Sequence, residues 1–139
     1  LVDYWGYYYQ TFNQVFIQHK VQGINMHGQV ATLLSHYNKQ MDVRHFFILH
    51  YQTVATRKYD GLGQLLAAML TAQAINKHNY TLMGCCVVGN NWQFAVLLGS
   101  QYAVSPVYIA TNPNDILCIH AALEAVKTNA KQQKNLIFE

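Results

Sequence analysis

Residues 44–98, RHFFILHYQTVATRKYDGLGQLLAAMLTAQAINKHNYTLMGCCVVGNNWQFAVLL, contain two changes of hydrophobic period, and those changes decide the fold. The run from His45 to Gln52 is too short for a helix and is rich in aromatic and branched side chains, as a buried strand requires. Leu62, Leu65, Leu66, Met69 and Leu70 then recur at helical spacing, with Asp60 as the expected N-cap. Beyond that helix the period returns to that of strands. Gly89-Asn90-Asn91 separates residues 83–88 from 92–98, and Gly and Asn supply the positive φ angles of a tight hairpin turn. The order is strand, helix, hairpin.

Two pieces of this stretch, Gly61-Leu62-Gly63-Gln64-Leu65-Leu66-Ala67-Ala68-Met69-Leu70 and Gly89-Asn90-Asn91-Trp92-Gln93-Phe94, stand in the order and spacing of a known pattern. They resemble the PD-(D/E)XK, or restriction-endonuclease-like, superfamily, and within it the N-terminal nuclease branch of type I restriction subunits. In that branch a strand ending in Glu-x-Lys leads into a helix with Gly and Gln near its start, and a hairpin carrying Gly-x-x-Trp-x-Phe follows. The resemblance implies an α+β fold in α/β/α layers, with a mixed central sheet flanked by helices. It also implies a homodimer, by analogy with nucleases of this fold.

The chain departs from the pattern at the reacting centre. Laying the Glu-x-Lys motif on the strand puts His50 at the glutamate position, Tyr51 between, and Gln52 at the lysine position. Magnesium is a hard ion that takes oxygen ligands, whereas imidazole favours zinc and other transition metals. Gln52 supplies no cation to activate water or stabilise charge on phosphate. The preceding strand, expected over residues 29–37, holds no carboxylate, so Thr32 or Gln29 stands where the upstream Asp belongs. Lys58, with Arg57, lies just before the helix and offers a migrated substitute for the lysine; Gln64 lies in the first helical turn. The positions read as a degenerate site are therefore His50 and Gln52, with Thr32, Lys58 and Gln64 nearby. The expected binding residues are Tyr51, Arg57, Lys58 and Gln64. No resident cofactor or metal is expected, and Mg²⁺ enters only if the rewritten site is active.

The charge inventory points the same way. Only six acidic side chains are present: Asp3, Asp42, Asp60, Asp115, Glu124 and Glu139. Asp42 reads as part of a turn, Asp60 as a cap, Asp115 as a first-turn residue suited to a helix dipole, and Glu124 as a partner for Lys127 or Lys131. Nine Lys and Arg give a net charge of +3, a mild excess and not the concentrated basic cluster of a strong nucleic-acid binder. Lys127, Lys131 and Lys134 are expected near a helix C-terminus, where cations are favoured in any case.

Outward from the central stretch, residues 2–20 are expected to form a helix with Tyr8, Phe12, Val15, Phe16 and His19 on one side, ending before Gly23. Tyr4, Trp5, Tyr7 and Tyr9 there either pack on the sheet or form an exposed aromatic platform. Strands over 29–37 and 44–54 make a first hairpin, and residues 101–110 a third strand after the helix. The last helix starts at Thr111-Asn112-Pro113-Asn114-Asp115 and is expected to bury Ile116, Ile119, Leu123 and Val126. Cys118 falls inside that pattern.

At 139 residues the chain has room for one domain, 1–139, and its start at Leu1 suits a fragment or processed product of a longer chain. No apolar run approaches the 18 residues of a membrane span. Three cysteines without CxxC spacing point to reduced thiols and an intracellular setting, with Cys85 and Cys86 on opposite faces of a strand. Of His36, His45 and His50 on the two adjacent strands, His45 is expected on the opposite face, so only His50 and His36 can meet and they lack a third ligand for zinc; no Gly-x-Ser-x-Gly elbow is present. Three readings follow. The favoured one is a catalytically silent nuclease-like scaffold, not an enzyme, that binds DNA, RNA or a protein partner. The others are an active divergent metal-dependent nuclease using His50, Gln52 and Lys58, and an interaction module unrelated to nucleases.

Overall fold

The computed structural model describes residues 10–37, 43–52, 61–76 and 80–138. Its described strands form one mixed sheet. In chain order the elements are β1 (Gln10–Val21), β2 (Ile24–Tyr37), β3 (Val43–Gln52), α1 (Gly61–Asn76), β4 (Leu82–Val88), β5 (Asn91–Leu98), β6 (Gln101–Val104), β7 (Tyr108–Ile109) and α2 (Pro113–Phe138). The strands lie side by side in the order β1-β2-β3-β4-β5-β6, with β7 also on β5. Every pairing is antiparallel except β3 with β4, which α1 connects as a crossover.

The α+β class and the layering expected from the sequence are both present. Alternate residues of β4 feed two cores on opposite sides of the sheet. Leu82 and Cys86, with Ala95 and Leu97 of β5 and Ile17 of β1, pack against Leu65, Ala68, Met69 and Ala72 of α1. Cys85, Val87 and Phe94 pack against Ile119, Val126 and Ala130 of α2. The helical face read from residues 62–70 is the one that packs: Leu65 and Met69 are fully buried, while Leu62, Leu66 and Leu70 are half-buried around them. Two side-chain bonds fix the layers. Gln73 donates Nε2–H to the Gly99 carbonyl at 3.1 Å, and Asn129 donates Nδ2–H to the Thr81 carbonyl at 3.2 Å.

Turn chemistry sets the registers. Gly89 and Gly99 each take positive φ, 58° and 61°, at the first central position of two-residue turns, the pattern of type II′. Gln22 and Gly23, at 49° and 82°, form the double positive-φ pattern of type I′ and join β1 to β2. That hairpin corrects the helix expected over residues 2–20, because residues 10–21 are strand and pair with β2 along their length. Thr11, Phe12, Val15, Phe16 and Ile17 favour a pleated surface. Exposed Gln18 and Lys20 alternate with less exposed Ile17, His19 and Val21, the period of 2 that a helical reading overlooks. The aromatic cluster at residues 4–9, the turn with Asp42 and the Asp60 cap lie outside the described residues.

Further expectations need correction. β2 begins at Ile24, five residues earlier than expected, and the strand expected over 101–110 is split. Pro106 lacks an N–H for the ladder, and Ser105 folds back onto β5: its N–H bonds the Phe94 carbonyl and its Oγ accepts the Phe94 N–H at 3.0 Å. On α2 the expected start is right. Asn112 Oδ1 accepts the Asn114 N–H at 2.9 Å and the Asp115 N–H at 3.5 Å, ahead of Pro113 at the first helical position. The buried face, however, is Ile119, Val126 and Ala130 with Leu123 at its margin, so Ile116 and Cys118 are exposed. Glu124 meets His120 at 4.0 Å instead of a lysine. The helix runs on to Phe138, which leaves Lys127 and Lys131 in its interior, away from the C-terminus.

Leu65→Ala is expected to destabilise the chain by about 2–5 kcal/mol, as for other large-to-small core changes, and Asn112→Ala by about 1 kcal/mol through loss of the cap. Urea titration followed by circular dichroism measures both; a Leu65→Ala cost no larger than that of Asn112→Ala contradicts the assigned core.

Candidate functional site

Parallel strands place their C-terminal ends side by side, and in open mixed sheets the crevice beyond those ends is where ligands bind. Here that end is formed by β3 and β4. His50 pairs in register with Cys86, Tyr51 with Val87, and Gln52 with Val88, the last residue before the Gly89-Asn90 turn. Thr32 pairs with Leu49, one position before His50, so the strand order brings it beside the motif strand, out of step with His50 by one residue. Gln64 is exposed in the first turn of α1. Arg57 and Lys58 fall outside the described residues, as do the side chains of His50, Tyr51, Gln52 and Thr32.

The same end of the sheet carries an arrangement that sequence reading missed. Gln52, Val88, Asn91 and Ile109 form one row across β3, β4, β5 and β7. Asp115 closes the row: its Oδ2 accepts the Ile109 N–H at 2.9 Å, while the Ala110 N–H bonds the Asn90 carbonyl at 2.8 Å. The start of α2 is thereby fixed at the end of the sheet where the motif strand finishes. Asp115 stands three strand spacings from Gln52, roughly 14 Å at about 4.8 Å per spacing. It is out of reach of a metal held at His50. The other described carboxylate, Glu124, is taken up with His120 on an exposed part of α2. The only signal for the Asp115 latch in the sequence was its place three residues after the cap.

Behind this end lies an aromatic wall. The Trp92 and Phe94 rings are 6.3 Å apart, and those of Phe94 and Tyr108 6.4 Å, both tilted. Tilted pairs at this separation suit the ring quadrupoles and stiffen the β5–β7 end against α2. Among the described residues no three His, Cys, Asp or Glu side chains are grouped as metal ligands. No described helix is long and apolar enough to cross a membrane.

The thiols divide sharply. Cys85 and Cys86 are buried and Cys118 is exposed, and all three are thiols. Burial pushes the Cys85 thiol far above its ordinary 9.0, the neighbouring Cys86 adds to the rise, and a hydrogen bond from the Gln93 backbone works against it. A protonated, enclosed thiol is a poor nucleophile. Cys85 thus serves packing.

Set against known families, curated proteins and solved structures, the chain finds no significant match in any of the three.

Two outcomes follow for the thiols. A disulfide reagent at pH 8 is expected to modify Cys118 quickly and Cys85 and Cys86 only on unfolding; fast modification of more than one thiol in the native chain contradicts their enclosure. The raised Cys85 value also has a sign. Below pH 9 both folded and unfolded states hold the proton; above it only the folded state does, so stability falls as pH rises. Between pH 8 and 10 the wild type is expected to lose about 1 kcal/mol more than Cys85→Ala in urea titrations. Equal losses contradict this.

Proposed function

We propose that this chain is a catalytically degenerate restriction-endonuclease-like scaffold that binds nucleic acid at the C-terminal end of β3. The observation that carries the reading is the crossover: β3 ends in His50-Tyr51-Gln52, α1 returns over the sheet, and β4 lies parallel to β3 and opens the β4–β5 hairpin. That is the sequence of elements in which the resemblance puts a Glu-x-Lys site, with both charged positions replaced by His50 and Gln52. The two described carboxylates add support, because Asp115 is engaged by the β7 backbone and Glu124 sits beside His120.

In this reading the cleft works by affinity. Arg57 and Lys58 contact phosphate, Gln64 and Gln52 donate and accept hydrogen bonds at the cleft, and Tyr51 stacks or packs against a base. His50 adds a donor without holding magnesium. No metal takes part and no bond is cleaved. Reduced thiols at Cys85, Cys86 and Cys118 fit a reducing, intracellular setting.

The test measures cleavage and binding on single- and double-stranded DNA and RNA with Mg²⁺, Mn²⁺ or EDTA. Expected are no cleavage, binding unaffected by EDTA, and an affinity that falls with salt at a slope set by roughly two or three phosphate contacts. The double change Arg57→Ala and Lys58→Ala is expected to lower that slope by about 2. Metal-dependent cleavage abolished by His50→Ala would make the chain an active nuclease. Affinity no better than for a neutral polymer removes nucleic acid as the ligand and leaves a protein partner.

A further inference from the structure

The strongest unassigned feature lies at the far edge of the sheet from β1. α1 packs on β1, β2, β3 and β4, touches β5 less and meets the β5–β6 turn through Gln73, and among the described residues no helix packs across the same face of β6 and β7. Register shows what stands there. Tyr102 pairs with Leu97 and Val104 with Ala95, and both partners belong to the core beneath α1. Opposite residues of an antiparallel pair share a face. Tyr102 and Val104 therefore continue the α1-side apolar surface past the helix, where they are 62% and 42% exposed. Ile109, opposite Asn91, lies on the same face at 45%, and Val107 in the connecting loop is 50% exposed. β6 is also the last described strand of the sheet, so one row of its backbone groups faces outward.

We infer that this β6–β7 strip is the interface through which two copies of the chain associate, related by a twofold axis. Charge favours a second copy over a charged partner. Residues 79–114 contain no Asp, Glu, Lys, Arg or His, although the chain as a whole carries +3. Two such strips meet without like-charge repulsion, while a phosphate backbone or an acidic protein finds nothing there to read. The edge also lacks the lysine that commonly guards exposed strands against pairing. Area is sufficient as well. Tyr102, Val104, Val107 and Ile109 expose on the order of 400 Å² of apolar surface per copy. Interfaces are about 60% apolar, which scales this to roughly 1,300 Å² for the pair, within the range of a specific dimer. The shortness of β6 and the following Pro106 limit strand addition to about four residues, so side-chain burial carries the contact. An isologous arrangement satisfies both strips at once.

The experiment is sedimentation velocity of the whole chain from about 1 to 100 μM, alongside Tyr102→Lys, Val104→Lys and the control Ile24→Lys. Ile24 is 66% exposed at the β1–β2 turn, away from the strip. Expected are a concentration-dependent dimer for wild type and Ile24→Lys, and at least tenfold weaker dimerisation for both strip variants with unchanged circular dichroism. If a lysine variant does not fold, Tyr102→Ser replaces it, and slowing of β6 amide exchange as wild-type concentration rises gives a variant-free readout. A wild-type monomer at every concentration overturns the inference. So does a dimer that folded strip variants leave intact, or β6 exchange independent of concentration.

Discussion

The rest of this structure depends on β4 being dry on both faces. Leu82 and Cys86 face α1 while Cys85 and Val87 face α2, so a strand of seven residues draws one helix to each side of the sheet. A strand enclosed in this way reads as a continuous apolar run because neither face may carry a polar group without a partner. The run from Leu82 to Val88 has no polar side chain other than the two thiols. Cysteine suits the place: it is small, packs like a hydrophobe and stays neutral when its thiolate is made costly. The parallel β3–β4 pairing follows, since α1 must cross over before β4 can lie in the middle of the sheet.

The amount of this that can be read from the chain varies with how strongly local sequence constrains the backbone. α1 and the β4–β5 hairpin are legible because leucine spacing and a Gly-Asn turn each specify a local geometry. The Asn112-Pro113 start of α2 is legible for the same reason. Residues 10–21 mislead because Tyr8, Phe12, Val15, Phe16 and His19 also fit a helical spacing; the alternation of Ile17, His19 and Val21 with Gln18 and Lys20 is decisive only once β2 is present to pair with it. The face of α2 is off by part of a turn for a related reason. Ile116 and Ile119 are equally apolar, and the structure turns Ile119 inward and leaves Ile116 exposed beside Asp115, whose Oδ2 accepts the Ile109 N–H.

The strand end that carries the candidate residues is legible, and a chemistry for it is not. Sequence spacing puts His50 and Gln52 at the end of a strand before a helix, and β3 runs to Gln52, level with the end of β4. What sequence spacing does not contain is the row from Gln52 to Ile109 and the Asp115 latch at its far side, because those meet through three separate strand pairings. Tertiary register, not motif, brings the start of α2 to that end of the sheet.

In the proposed reading, the absence of a carboxylate from His50-Tyr51-Gln52 changes more than catalysis. A metal-dependent nuclease must hold two carboxylates close together, and like charges about 5 Å apart repel by about 3 kcal/mol at an effective dielectric constant near 20 until a cation arrives. The same pair repels a phosphate backbone, so such a site binds nucleic acid well only when loaded with metal. A strand ending in His50-Tyr51-Gln52 is free of both penalties. In the proposed reading its neutral donors give hydrogen bonds to a phosphate or a base edge directly, and Arg57 and Lys58 add attraction with no carboxylate beside them in the sequence until Asp60. In the proposed reading, a strand end without the acidic pair receives nucleic acid with no metal to gate it.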